Sequence, residues 1–304
     1  MKASHRYTYE PNYAVAPGET LKEIIESLSM TQKELALRTG LTEQSIIRIL
    51  SGEQPITYDT ATKLEMVTAV PSRMWNNLER NYREQLSKLK FKQQLQGYDS
   101  WLSTIPIKDL KERGILSETD DRSELAQETL RFYGVSSVEA WNSLWSNPKV
   151  PARLASHFSS HVGPASAWIR MGELQAREIE CSPFNASKFS DAMRTIRALT
   201  SKRPKEVMSQ IYTLCNEAGV ALALMPHWKQ IPWKGASKWL SPEKALIVLN
   251  LKDKKNDTFW LSFFHEAYHI LKGKKKQLNI ADGSRTEQEE IKAAAFAATM
   301  IIPQ

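Results

Sequence analysis

The chain is poor in cysteine, with only Cys181 and Cys215 among 304 residues. Neither lies in a Cys-x-x-Cys pair, so a disulfide framework is excluded and both read as reduced structural thiols. Long apolar runs are missing as well. No stretch approaches the ~20 residues of a membrane span, and the N-terminal MKASHRYTYEPNY lacks the apolar core of a signal peptide. A cytoplasmic protein with no membrane partner is expected. A strongly basic domain is also absent, although the formal net charge is +7. Residues 17–90 hold 10 Lys+Arg and 10 Asp+Glu, residues 91–200 hold 13 of each, and residues 201–304 hold 16 against 10. The excess is therefore C-terminal, and any affinity of the first segment for nucleic acid must come from local placement of Lys33, Arg38 and Arg48, doubled in a dimer.

The most informative segment is QKELALRTGLTEQSIIRIL, residues 32–50, which has the spacing of a helix-turn-helix. Small Ala36 falls where two helices must approach closely, and Gly40 falls where the turn needs a residue that tolerates a left-handed backbone. Thr31 with Glu34 forms a capping box, and Thr42 stands as the N-cap of the second helix. With Leu35, Ile46, Ile49 and Leu50 turned inward, the outer set is Thr42, Glu43, Gln44, Ser45 and Arg48, joined by Gln32 and Lys33 at the start of the first helix. These are base-edge and phosphate chemistries: Gln pairs adenine, Arg pairs guanine or a phosphate, and Ser or Thr serves either. Residues 32, 33, 42, 43, 44, 45 and 48 are the candidate DNA contacts.

A length of 304 residues allows two or three domains with ample core. Residues 1–16 read as an arm. Leu21, Ile24, Ile25 and Leu28 repeat at helical spacing after Pro17-Gly18, and two further helices follow the pair, Tyr58–Thr68 and Ser72–Lys90, giving a five-helix domain over 17–90. Residues 91–200 read as a helical connector carrying Trp101, Trp141, Trp145 and Trp168, with an aromatic groove as the lesser alternative. His157 and His161 in HFSSH have no nearby carboxylate and read as a helix face. From 201 the text turns to mixed α and β: a helix over Glu206–Ala218, strands over Val220–Met225, Ala236–Leu240 and Ala245–Asn250, then the aromatic run Phe259–Phe264. Lys272-Gly-Lys-Lys-Lys276 reads as a solvated turn after that helix.

That aromatic helix contains His265-Glu266-Ala-Tyr-His269. Residues four apart share a helical face, so both imidazoles can reach one zinc ion while Glu266 stands beside it to take a proton from bound water. The alternative is a helix that keeps two histidines for packing.

Residues 17–90, and in particular ITYDTATKLE and the helix carrying WNNLERNY, resemble the HigA family of antitoxin repressors. That resemblance implies a dimeric regulator that binds operator DNA in its own promoter and neutralises a RelE-like toxin. Residues from about 165 onward, through AWIRMGELQAREIE, GASKWLS, FWLSFFHEAYHILKG and FAATMIIP, resemble the ImmA/IrrE family of zincin-like peptidases. It implies an α+β zincin-like domain whose third zinc ligand is a glutamate four residues before the Phe of the FAA segment. Counting back from Phe296 gives Lys292, whose ammonium has no lone pair to give and would cripple the site. Glu289, one turn earlier, is the expected substitute, with Glu290 less well aimed, and Tyr268 replaces a small residue and crowds the motif. The chain stops at Gln304, directly after the last matching segment, which reads as a domain cut short.

The expected architecture is mainly α: a helix-turn-helix domain, a helical connector and an α+β domain over 201–304. The expected function is an autoregulatory, homodimeric DNA-binding repressor and antitoxin with an appended peptidase-like sensor or partner-binding domain. The alternative is a working zinc endopeptidase that cleaves a repressor or toxin partner, with Glu266 as its base and His265, His269 and Glu289 as its ligands.

Overall fold

The computed structural model describes residues 12–145, 162–226, 228, 231, 234–250, 256–272 and 287–301. The HFSSH histidines, residues 273–276 of the basic turn and most of the N-terminal arm lie outside them. The chain is mainly helical with one small sheet, and its packing divides it after Gly97 into two units.

In the first unit, α1 (Pro17–Ser27), α2 (Gln32–Thr39), α3 (Glu43–Leu50), α4 (Tyr58–Thr68) and α5 (Ser72–Gln96) pack around Leu21, Ile25, Leu35, Ile46, Ile49, Ile56, Leu64 and Trp75. Helix α5 runs past the expected Lys90 because no breaker intervenes before Gly97. Local signals set the ends of the short helices. The Thr31 hydroxyl accepts from the Glu34 backbone N–H at 3.2 Å. The other half of the expected capping box is replaced, because the Glu34 carboxylate takes Arg38 at 2.5 Å instead. Gly40 closes α2 at φ +68°, the left-handed conformation that glycine adopts without penalty. Glu79, buried on α5, accepts from the Ile56 backbone N–H at 3.1 Å and from Arg83 at 2.6 Å, which ties the loop after α3 to the last helix.

The second unit begins with α6 (Asp99–Thr104), α7 (Ile107–Glu112), α8 (Arg122–Tyr133) and α9 (Val138–Trp145). Here Trp101, Tyr133, Trp141 and Trp145 are buried in mutual ring contact, Trp101 on Trp141 at 5.8 Å and Tyr133 on Trp145 at 6.3 Å. The aromatic loading fills a core rather than lining a groove. Helix α10 (Val162–Glu178) joins this layer to the rest. It packs on α6 and α8 and also on the sheet, and Arg170 within it donates to the Phe132 carbonyl at 2.8 Å and to Glu173 at 2.8 Å. Glu173 in turn takes Lys238 of the sheet, so no charge in the triad is left bare. Residues 91–200 and 201–304 read as separate domains from the sequence; in the structure Tyr98–Gln304 pack as one unit, and the first seven residues of the expected connector belong to the first.

The remaining elements are α11 (Ala186–Arg197), α12 (Pro204–Glu217), β1 (Val220–Met225), β2 (Gly235–Ser241), β3 (Lys244–Asn250), α13 (Asn256–Lys272) and α14 (Glu287–Ile301). The sheet order is β1-β3-β2. β1 runs parallel to β3, with Val220 opposite Ala245, and β2 antiparallel to it, with Gly235 opposite Leu249. β3 is central and buried beyond Lys244, which explains its unbroken apolar run. Burial pushes the Cys215 thiol upward, so it remains a protonated core residue.

Replacing Gly40 by alanine is expected to cost about 1–2 kcal/mol, since a Cβ there meets no neighbour and only the left-handed backbone is penalised. A lowered thermal transition of the first unit, followed by tryptophan fluorescence, checks it.

Candidate functional site

Two clusters of chemistry stand apart from the cores, one in each unit. The first is the outer face of α3. Its N-cap Thr42 accepts from the Ser45 backbone N–H at 3.1 Å and donates to the Ser45 hydroxyl at 2.9 Å. Both hydroxyls are therefore engaged in holding the helix start. The positions left exposed on α3 are Glu43, Gln44, Ile47 and Arg48, which fall at i, i+1, i+4 and i+5 and form one face. Opposite them Ile46 and Ile49 are buried in the core. Arg48 reaches Glu53 at 3.7 Å, with both side chains more than half exposed. Gln32 and Lys33 are exposed in the first turn of α2, where backbone N–H groups point outward. Of the seven positions expected to touch DNA, Gln32, Lys33, Glu43, Gln44 and Arg48 are thus presented outward, and Thr42 and Ser45 serve the cap.

The second cluster lies between α13 and α14. Phe263, Phe264, Ala267 and Ile270 seat α13 in the core, and α13 packs along α14 and against β2. The His265 and His269 Nε2 atoms face one another at 3.2 Å. Both also face Glu290, whose carboxylate oxygens lie 3.1 Å from His265 and 3.3 Å from His269. Burial would raise the Glu290 carboxyl, but hydrogen bonding from both imidazoles and their charge outweigh it and hold it well below the ordinary carboxylate range.

The carboxylate in this cluster is Glu290, where the sequence pointed to Glu289. Glu289 and Lys292 are solvent-exposed on α14. The reason is helix phase. Seven residues separate Glu290 from the buried Ala297, and seven separate Glu289 from Phe296, so each carboxylate follows the face of its partner. Ala297 faces the core, whereas Phe296 sits at the margin and carries the Tyr268 ring at 5.5 Å. Tyr268 accordingly packs sideways on α14.

The donor set fits a divalent metal. Two ligand atoms each about 2.0–2.1 Å from a tetrahedral zinc ion lie about 3.3 Å apart; the two Nε2 atoms are 3.2 Å apart, and Glu290 meets His265 through Oε2 at 3.1 Å and His269 through Oε1 at 3.3 Å, so one ligand atom from each residue lies within 4.8 Å of the others. Two imidazoles and a carboxylate are also a zinc donor set. Glu266 stays outside the three. It is buried, and its Oε2 has no hydrogen-bond partner among the described residues. Gly235 at the start of β2 lies over it, so close that a Cβ there would meet the Glu266 Cγ at 2.9 Å and Oε1 at 3.1 Å. Only a glycine lets the strand pass at that distance.

A helix-turn-helix family model matches residues 21–75. Residues 21–75 are a helix-turn-helix domain. Among solved structures, the chain is similar to an addiction module antidote protein of the HigA family from Coxiella burnetii, at 26% identity and a TM-score of 0.25, covering 28% of this chain and 92% of that one. It is also similar to an antidote protein of a plasmid maintenance system from Nostoc punctiforme, at 27% identity and a TM-score of 0.24, covering 26% and 92% respectively. No curated protein sequence matches the chain. Among the described residues, no helix is long and apolar enough to cross a membrane.

Outside the helix-turn-helix domain, the residue that sequence reasoning placed second was Glu290. The signal that would have put it first is the stripe Glu290, Ala293, Ala297 and Met300, which repeats at helical spacing on the buried side of α14. Removing a zinc ligand costs more than the ~10–100-fold loss typical of a supporting partner outside the coordination sphere. Glu290→Gln is therefore expected to abolish stoichiometric zinc retention, and Glu289→Gln to leave it unchanged, as read by metal analysis of the purified variants.

Proposed function

We propose that the chain is a sequence-specific DNA-binding repressor of antitoxin type, acting on operator DNA in its own promoter and neutralising a RelE-like toxin of the same operon. The observation that carries this reading is the outer face of α3. A helix that buries Ile46 and Ile49 presents Glu43, Gln44 and Arg48 together, side chains that accept from cytosine, pair with adenine, and pair with guanine or phosphate. The helix-turn-helix match supports the DNA-binding half, and the resemblance of residues 17–90 to antitoxin repressors supports the other half. Scale supports a homodimer. An eight-residue α3 is about 12 Å long and the domain is charge-balanced. Two reading heads on neighbouring half-sites are then needed for affinity and register.

A second activity, zinc-dependent peptide hydrolysis by the second unit, is favoured by the convergence of His265, His269 and Glu290 beside a buried Glu266. Those three residues would hold the metal. Bound zinc supplies Lewis acidity that brings the pKa of water toward neutrality. The Glu266 carboxylate, held under Gly235 with Oε2 unengaged among the described residues, would accept a proton and pass it on. The apolar seat formed by Phe263 and Phe264 keeps the helix, and so the two imidazoles, from rotating.

Gln44→Ala and Arg48→Ala are each expected to weaken binding to the chain's own promoter fragment by about 1–3 kcal/mol per lost base contact, with helical content unchanged. Fluorescence anisotropy titration at fixed salt measures it, and equal binding to random competitor by the unsubstituted protein would end the repressor reading. For the second unit, Glu266→Gln is expected to keep zinc and lose proteolysis of a co-expressed toxin or repressor partner, read by mass spectrometry of the intact partner. Absence of stoichiometric zinc in the unsubstituted protein would remove the peptidase reading.

A further inference from the structure

One residue on the reading face of α3 is of the wrong chemistry for a solvated helix surface. Ile47 is 55% exposed, whereas its neighbours Ile46 and Ile49 on the same eight-residue helix are essentially inaccessible. A β-branched side chain is a poorer choice for an exposed helical position than the straight-chain polar residues that would serve there. The position is also central, not peripheral. Gln44 lies three residues before it, Glu43 four before, and Arg48 directly after, so Ile47 is flanked by side chains that seek hydrogen bonds. The other strongly exposed apolar residues of this unit, Tyr13, Val15, Leu37, Tyr58 and Met66, all lie outside α3.

In the major groove every base edge offers hydrogen-bonding atoms, and the apolar feature among them is the C5 methyl group of thymine. A branched aliphatic side chain set among Glu, Gln and Arg matches that pattern. We propose that Ile47 is a specificity-determining residue that packs on a thymine methyl in each operator half-site. The assignment rests on the DNA-reading function proposed above for α3. It adds that each half-site contains a thymine beside the base read by Gln44, and that its methyl group, rather than its hydrogen-bonding atoms, is what is recognised.

The test uses the full-length protein and duplexes it selects from a random-sequence pool. Each thymine of the selected duplex is replaced in turn by deoxyuridine, which removes only the C5 methyl group. For the unsubstituted protein, one replacement per half-site is expected to weaken binding about three- to tenfold, the scale of burying one methyl group. Ile47→Ala is expected to weaken binding to the all-thymine duplex by a similar factor and to become indifferent to deoxyuridine at that one position, while Ile47→Val keeps the discrimination. The double substitution, protein and base, should cost no more than either alone. If no thymine replacement affects the unsubstituted protein although Gln44→Ala still weakens binding, the assignment is overturned and the DNA-reading function stands. If Ile47→Ala changes the native mass in solution and leaves the deoxyuridine profile intact, Ile47 is a protein contact and the assignment is likewise overturned. If no sequence is selected over bulk, the DNA-reading function fails and the assignment falls with it.

Discussion

Burial of Ile46 and Ile49 is the interaction on which the first unit's chemistry depends. A helix of eight residues is too short to persist in water by itself. Side chains of this size contribute roughly 1.5–3 kcal/mol each when fully buried, and that contribution both holds α3 and sets its rotation. Once those two positions face Leu35 and Trp75 in the core, Glu43, Gln44, Ile47 and Arg48 have nowhere to go but outward. The caps refine this without creating it: Thr42 and Ser45 settle the first turn, and Gly40 lets α2 stop in time for α3 to begin.

The same logic operates on a larger scale in the second unit. Helix α13 is seated by Trp260, Phe263, Phe264, Ala267 and Ile270, and the histidines occupy the margin of that seat, one part-exposed and one buried. The partner carboxylate comes from a separate helix, so the cluster exists only where α13 and α14 run side by side. Glu290 lies within hydrogen-bond distance of both imidazoles, which hold its carboxyl down when they donate to it and would share a metal ion with it when their lone pairs face it. The sheet contributes through Gly235, which brings β2 down onto Glu266 and shields it from water.

Much of this was legible in the sequence. β1 and β3 were bounded to within a residue by their apolar runs, because both are largely buried and carry no polar interruption, and β2 was bounded by the Ser241-Pro242 turn that follows it. The helix-turn-helix was legible because its signals are local: a cap, a left-handed glycine and a periodic pair of isoleucines. The packing of residues 98–304 into one unit was not, since it depends on α10 contacting both an aromatic layer before it and a sheet after it in the chain. Nor was the triad of Arg170, Glu173 and Lys238, whose members lie up to 68 residues apart in a sequence that marks none of them.

Sequence by itself determined the residue types available to each site and the spacing that places them on one helical face: His265 with His269, and Gln44 with Ile47 and Arg48. Only the tertiary structure decided which carboxylate meets the two imidazoles and which hydroxyls are spent on a cap. The physical reason is that helical periodicity fixes angles between residues of one helix but not the rotation of that helix against its neighbour. The choice between Glu289 and Glu290 is such a rotation, settled when Ala297 rather than Phe296 was drawn into the core.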